Sequence, residues 1–225
     1  NIEGLTISLS PAAPITGTVT AQEGDLQTLL KSKTPRITLR LLPSEGLSGR
    51  PTLVQVKDDG VFRFPTAGVA KYWWSVSGVP EEVYVKSASF GEKDVTRAQL
   101  DDSTGEGGIL RIVLSSQAAS LSGAAPRGMT VRVWPRIPDL GDSAGGMRSV
   151  TADQDGGFRF AGLAPGEYYV AATDDIEQGL AESPEFLARF NGDALLVRLD
   201  KGEHAAVDVK LISAEKVATE IARLP

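Results

Sequence analysis

The chain has 225 residues, of which 41% are hydrophobic and 23% charged, and it carries a formal net charge of −6 at pH 7. This composition is typical of a folded globular protein, and the acidic balance argues against a nucleic-acid partner, which requires a basic surface. The absence of cysteine excludes disulfides, thiolate metal sites and a cysteine nucleophile, and no apolar run is long enough to span a bilayer.

The first predicted elements are short strands. Gly4 to Leu9 is similar to a closing strand, so we interpret residues 1–13 as an extra N-terminal strand or the remnant of a preceding domain. The next strand is predicted at Ile15 to Val19, and Ile37 to Leu41 alternates apolar and polar residues in the same way. Leu26 to Lys33, between these two strands, is predicted to be a loop.

A phrase in the first half of the chain recurs almost unchanged in the second half. Asp59-Gly60-Val61-Phe62-Arg63-Phe64, followed by Tyr72, returns as Asp155-Gly156-Gly157-Phe158-Arg159-Phe160, followed by Tyr168. Asp-Gly is typical of a tight hairpin turn, and the alternation places the phenylalanines inside and the arginines outside. Equivalent residues lie 96 positions apart, the length of a small domain, so the sequence predicts two copies of one fold.

Two short helices are predicted near the C-terminus. Ser183-Pro184-Glu185 supplies an N-cap, a proline in the first turn and an acid. Ala214 to Ala222 lacks turn-forming residues and predicts a terminal helix with Val217 and Ile221 on one side.

The predicted fold is all-β, with two tandem antiparallel β-sandwich domains and the short terminal helix. Short alternating strands separated by turns, in a chain with 24 Gly and 13 Pro, favour this architecture. We place the first sandwich at residues 14–116 and the second at 117–225. Gly17 and Gly123 are predicted to be equivalent residues of the two first strands.

Residues of the second copy carry a resemblance to a known family. Gly123, Asp155-Gly156-x-Phe158-x-Phe160 and Leu163-x-Pro165-Gly166-x-Tyr168-x-Val170-x-Ala172 resemble the bacterial carboxypeptidase regulatory-like domains. The first copy matches through Gly17, Asp59-Gly60, Phe62, Phe64 and Tyr72. The resemblance implies a transthyretin-like (prealbumin or Ig-like) sandwich close to the Cna-B fold, and a non-catalytic accessory module of extracytoplasmic bacterial proteins. Cna-B-like sandwiches sometimes carry a Lys–Asn isopeptide bond, but Asn1 and Asn191 are not in a last strand, so only a Lys–Asp variant stays open.

The candidate reactive residues favour no enzyme class. A Ser-His-Asp triad would have to use His204, the one histidine, which is predicted to lie in an exposed turn. Asp153-x-Asp155 allows a calcium ion as an alternative to a simple turn, although the full loop pattern is missing. The acid pairs Asp101-Asp102 and Asp174-Asp175 could suggest glycoside hydrolysis, but solvated turns explain them better. No cofactor and no metal are predicted.

Three aromatic side chains are the candidate ligand-binding residues. If Tyr72 and Trp74 face the core, alternation turns Trp73 outward, with Tyr169 as its counterpart in the second copy. Trp134 is predicted to alternate outward beside Arg132. An exposed aromatic ring can stack on a sugar or anchor a protein interface, unless neighbouring loops cover it.

The sequence therefore predicts a non-catalytic tandem β-sandwich module of a larger extracytoplasmic bacterial protein, located in the periplasm, at the outer membrane or outside the cell. It would act as a structural spacer or protein-interaction unit. The alternative is a carbohydrate-binding module that uses Trp73, Trp134 or Tyr169. The expected partners are neighbouring domains of the full-length protein, and possible further partners are another protein or a glycan.

Overall fold

The computed structural model describes residues 13–41, 50–65, 70–137, 146–173, 176–181 and 183–224. The predicted strand at Gly4 to Leu9 and the acid pair Asp174-Asp175 lie outside these residues. Residues 13–115 form an N-terminal half, and residues 119–224 form a C-terminal half.

The described part of the chain is mostly β-structure with short helices. The elements of the N-terminal half are β1 (Ile15–Ala21), α1 (Leu26–Leu30), β2 (Arg36–Leu41), β3 (Thr52–Gln55), β4 (Val61–Phe64), β5 (Ala70–Ser77), β6 (Tyr84–Phe90), β7 (Lys93–Asp94), β8 (Leu100–Asp102) and β9 (Gly108–Ser115). Those of the C-terminal half are β10 (Ala119–Ala124), β11 (Thr130–Pro135), β12 (Arg148–Thr151), β13 (Gly157–Leu163), β14 (Gly166–Thr173), α2 (Gln178–Ala181), α3 (Pro184–Ala188), β15 (Leu195–Leu199), β16 (His204–Asp208), β17 (Leu211–Ile212) and α4 (Ala214–Ala222).

The two halves have corresponding sheets. In the N-terminal half the strand orders are β4-β1-β9-β6-β7 and β3-β2-β5-β8. In the C-terminal half they are β13-β10-β16 and β12-β11-β14-β15, with β17 beside β14. The halves differ in the elements that follow the second strand of the repeated phrase. β5 is followed by β6 and β7, whereas β14 is followed by α2 and α3.

Each half has its own hydrophobic core between its two sheets. In the N-terminal half, Phe62 and Phe64 from one sheet and Trp74 from the other belong to one buried cluster. In the C-terminal half, Phe158 and Phe160 pack in a second cluster with residues of the facing sheet. The repeated aromatic residues are therefore core residues in both halves, as the alternation predicts.

The prediction of purely antiparallel sheets is wrong in both halves. The first strand of each half has a parallel neighbour, since β1 pairs with β9 and β10 pairs with β16, and the short last strand β17 pairs in parallel with β14. Parallel neighbours need long crossover connections, and here almost the whole half separates β1 from β9 and β10 from β16. Local alternation and turn signals do not report such a distant pairing.

Gly17 and Gly123 occupy equivalent places in these strands. Gly17 lies opposite Phe62, and Gly123 lies opposite Phe158. A Cβ atom on Gly17 would lie 2.2 Å from Cζ of Phe62, and one on Gly123 would lie 1.7 Å from the carbonyl oxygen of Val207. Glycine is required at both positions because an aromatic ring or a neighbouring strand fills the space of the side chain.

The segment predicted as a loop at Leu26 to Lys33 instead contains helix α1. The Asp25 carboxylate caps this helix by accepting a hydrogen bond from the Thr28 amide at 2.9 Å. Leu29 and Leu30 are buried, so the helix belongs to the core of the N-terminal half. An N-cap aspartate followed by two leucines was the signal for this helix.

The two predicted C-terminal helices are present. Ser183 caps α3 by accepting a hydrogen bond from the Phe186 amide, and α4 spans the predicted residues. Val217 and Ile221 lie one turn apart on the same side of α4, as predicted, with Val217 buried and Ile221 38% exposed. Glu220 is buried as well, and it accepts hydrogen bonds from Arg189 and Arg223. Within the described residues, no helix is long and apolar enough to cross a membrane.

Candidate functional site

The two halves meet where a short connection follows β9. The amide of Ala118 donates to the carbonyl of Glu82 at 3.0 Å, and the amide of Gly202 donates to the carbonyl of Gln117 at 3.0 Å. Tyr84 of β6 forms a small buried cluster with Ala118 and Ala164. The connection is therefore bonded to both halves.

An ion pair also bridges the halves. Arg159, the outward arginine of the second repeated phrase, contacts Glu81 with an Nη1–Oε2 distance of 2.7 Å. Both side chains are more than half exposed, so this pair contributes little stability, about 0–1 kcal/mol, and favours this relative placement of the halves by no more than that.

A groove of ≈ 410 Å³ lies at this junction. The N-terminal half contributes the start of β6 and the residues after β7, and the C-terminal half contributes the end of β11, the β13–β14 turn and Lys201. Tyr168 fixes the turn because its hydroxyl donates to the Ala164 carbonyl at 2.7 Å. Both halves must be present for the groove to exist.

Cations dominate the charge of this groove. Its charged residues are Lys86, Arg97, Arg136, Glu167 and Lys201. All five are exposed, and Arg136 pairs with the one carboxylate, Glu167, at 2.9 Å. Among the described residues, no ion pair engages Lys86, Arg97 or Lys201. The groove therefore presents unneutralised positive charge on a chain that is acidic overall.

Trp134 does not have the predicted exposure. It is 5% exposed and belongs to a third hydrophobic cluster, together with Phe186 and Phe190 near α3 and Val217 of α4. Its indole nitrogen donates to Oδ1 of Asn191 at 2.9 Å. The ring lies on the outer face of the sheet, as alternation predicts, but its predicted exposure is wrong because the helices after β14 cover that face, and Arg132 on the same face is buried too.

The other two aromatic candidates lie apart from each other. Tyr169 is half-buried and stacks on Trp134, with ring centroids 5.9 Å apart. Trp73 is half-buried on the outer face of the N-terminal sheet, opposite Arg40. The structure therefore does not bring the three rings together, and their role in ligand binding stays a prediction.

His204 is the first residue of β16, not a turn residue as predicted. Its Nδ1 lies 2.6 Å from Oγ of Ser120, which faces it across the parallel strand pair. A catalytic triad also needs a carboxylate that orients the second ring nitrogen, and no such hydrogen bond exists among the described residues. The pair serves as a cross-strand hydrogen bond between β10 and β16.

The carboxylates also have structural roles. Oδ1 of Asp153 accepts hydrogen bonds from the amides of Asp155 and Gly157 at 2.9 and 2.7 Å, which explains the turn without an ion. In the part of the chain that the structure describes, no group of three or more acidic or histidine side chains could hold a metal. The calcium alternative gains no support from this geometry.

Asp102 is not solvated in a turn, contrary to the sequence prediction. It lies on β8 and is only 2% exposed. Its Oδ1 accepts a hydrogen bond from the Gly107 amide at 3.0 Å, while Oδ2 is buried without a hydrogen-bond partner among the described residues. Burial raises the pKa of this carboxyl group, and the nearby charges of Asp101 and Glu106 raise it further. Asp101 is bonded to Ser103, and since adjacent strand residues face opposite sides, the two acids do not form a catalytic pair.

Sequence reasoning missed the junction groove. Its four cations come from four separate chain segments, and no local pattern links Lys86 to Arg136 or Lys201. The sequence offers little signal for the groove, since Lys86 is a single lysine within β6 and the residue after Ala164-Pro165-Gly166 is the acidic Glu167.

No protein-family model matches the chain, and no curated protein matches it. Solved structures that are similar include the Bacillus anthracis TIE protein, at 11% identity and a TM-score of 0.28 over 89% of this chain and 34% of that chain. The minor pilin GBS52 of Streptococcus agalactiae is 10% identical with a TM-score of 0.30, over 88% and 94% of the two chains. The shaft pilin SpaA of Lactobacillus rhamnosus GG is 9% identical with a TM-score of 0.29, over 89% and 97%.

The chain thus spans about a third of the length of the TIE protein. With TM-scores this far below 0.5, the likeness to these proteins carries no argument about the fold, the function or the partners of this chain.

Proposed function

We propose that this chain is a non-catalytic module of two tandem β-sandwich domains, at residues 14–116 and 117–225, that acts as a structural spacer or protein-interaction unit. The observation that carries this proposal is the repeated construction of the two halves. Both place a glycine of the first strand between a core phenylalanine on one side and a parallel strand, β9 or β16, on the other. Residues 1–13 would be an extra strand or the end of a preceding domain.

The chemistry of the candidate residues supports a non-catalytic role. The hydrogen bonds of Ser120 with His204 and of Asp153 with its own turn each have a structural purpose. The resemblance to carboxypeptidase regulatory-like domains supports a place within a larger extracytoplasmic bacterial protein. Neighbouring domains of that protein would be its first partners.

Two matched substitutions test whether the halves are separate domains. Phe64→Ala and Phe160→Ala each remove a buried ring of the repeated phrase, at an expected cost of about 3–5 kcal/mol. Hydrogen exchange read by mass spectrometry reports the opening free energies of the two halves of the intact chain. We expect each variant to destabilise its own half and to leave the other within about 0.5 kcal/mol.

The two variants serve as controls for each other. An equal loss of protection in both halves from either substitution would mean a single cooperative core, and would contradict the tandem proposal.

Carbohydrate binding is the second candidate function, and the observation that favours it is the partly open ring of Trp73. The ring lies on the outer face of the sheet with Leu53, which is 52% exposed. In affinity gels containing soluble glycans, sugar binding would retard the protein, and Trp73→Ala would abolish the retardation. Trp134→Phe is the matched control, since that ring is covered; a retardation that Trp73→Ala leaves unchanged would exclude this surface.

A further inference from the structure

We propose that the groove between the two halves binds an acidic, extended polypeptide segment, which adds as a strand to the free edge of β6 while its carboxylates meet the cations of the groove. This inference rests on the proposed interaction role and names its partner class.

The charges of the groove supply the first part of the argument. Lys86, Arg97 and Lys201 are exposed and have no ion pair among the described residues, and Arg136 is already paired with Glu167. Such a concentration of cations on a chain of net charge −6 favours an anionic partner and speeds its encounter. Charge complementarity therefore selects carboxylates over neutral or basic groups.

The edge of β6 supplies the second part. On the side away from β9, β7 pairs with β6 only at Ser89 and Phe90. The bonding continues to Ala88, whose carbonyl accepts from the Val95 amide. Among the described residues, no strand pairs with Tyr84 to Ser87 along the edge of β6 that faces away from β9. An unpaired edge of this kind is a template for an added strand.

The two features lie together. Tyr84, Val85 and Lys86 of this free edge line the groove, and Arg97 lines it from the segment after β7. An extended peptide paired with the edge would thus run between the cations of both halves. Backbone hydrogen bonds would give affinity, and acidic side chains would give selectivity.

A polypeptide fits this site better than an acidic glycan. Sugar rings stack on open aromatic faces, but the aromatic residues of the groove, Tyr84 and Tyr168, are only 8% and 2% exposed. The free main-chain groups of β6 instead match the regular donors and acceptors of a peptide.

The test measures binding of a fluorescein-labelled peptide of about twelve alternating aspartate and valine residues to the full chain, by fluorescence anisotropy. We expect binding at ~50 mM salt that weakens at ~500 mM salt. Combining Lys86→Glu, Arg97→Glu and Lys201→Glu should weaken it at least about tenfold. The matched control combines Lys57→Glu, Arg127→Glu and Lys210→Glu, which change the net charge equally outside the groove, and it should bind almost as the parent chain does.

A second peptide separates strand addition from simple charge attraction. N-methylation of adjacent residues in pairs along the peptide removes amide donors from both of its edges without changing its charge, and we expect at least about a tenfold loss of affinity. Equal affinity for the methylated peptide, or no binding of the parent peptide, would overturn the proposal. So would tighter binding of heparin that depends on the same three cations, which would assign the groove to polyanionic glycans. If the peptide fails while the halves still open independently in hydrogen exchange, the tandem spacer role stands without this partner.

Discussion

The carboxyl group of Asp102 faces the core of the N-terminal half with one oxygen bonded to the Gly107 amide and the other buried without a partner in the described residues. Burial opposes its ionisation, so its pKa is raised. Asp94 is the contrasting case, since hydrogen bonds from Thr96 lower the pKa of its exposed carboxyl group. Two aspartates of the N-terminal half, on different sheets, thus have pKa values shifted in opposite directions.

The raised pKa of Asp102 predicts a pH-dependent stability. The folded state holds this proton more tightly than the unfolded state, so its contribution to stability is complete below the ordinary pKa of about 3.9 and is lost as pH rises through the raised value. We expect Asp102→Asn, which cannot ionise, to be more stable than the parent chain at pH 7, with the difference shrinking toward pH 3. Urea unfolding of both chains across this pH range measures it.

Asp94→Asn is the matched control, because it makes the same change at a carboxylate whose pKa is lowered. It should not stabilise the chain at pH 7. An Asp102→Asn chain less stable than the parent at neutral pH would show that the ionised carboxylate has a favourable partner.

At the scale of secondary-structure elements, the packing of the first strand of each half depends on one glycine. Gly123 lies between β13 and β16, where the Phe158 ring and the Val207 carbonyl occupy the space that a side chain would need. Gly17 has the same surroundings in Phe62 and Leu110. These contacts link the hairpin of the repeated phrase to the parallel strand of each half, β9 or β16.

We expect Gly123→Ala to destabilise the C-terminal half by about 3 kcal/mol or more, since its Cβ would lie 1.7 Å from a backbone oxygen that the sheet holds in place. Gly192→Ala is the control, because nothing lies within 4 Å of the added atom. Thermal unfolding followed by circular dichroism compares the two variants. A stability loss for Gly123→Ala no larger than that of Gly192→Ala would contradict this role.

Local patterns predicted the elements better than their arrangement. The Asp-Gly turns, the inward phenylalanines and the Ser183 cap depend on neighbouring residues, and the sequence was sufficient for them. The parallel pairing of β1 with β9 and the helical cover over Trp134 depend on contacts between distant segments. Alternation correctly placed Trp134 on the outer face, but it could not report that α3 and α4 pack on that face.

The candidate site belongs to the scale of the whole molecule. Neither half contains the groove alone, and its cations are gathered only when the halves meet through the Ala118 connection and the Glu81–Arg159 pair. The spacing of residues in the sequence does not predict how the two halves pack together, although the sequence does show the charge of each lysine and arginine. A site of this kind depends on the relative placement of the halves.

The parallel pairing of β1 and β9 has a mechanical consequence for a spacer. Their register runs from Ile15 beside Gly108 to Ala21 beside Leu114, so the chain enters at one end of the paired strip and leaves at the other. Tension along the polypeptide would load the hydrogen bonds of this strip simultaneously, in shear, instead of opening them one after another. The N-terminal half would therefore resist mechanical unfolding strongly, even if its thermal stability is ordinary.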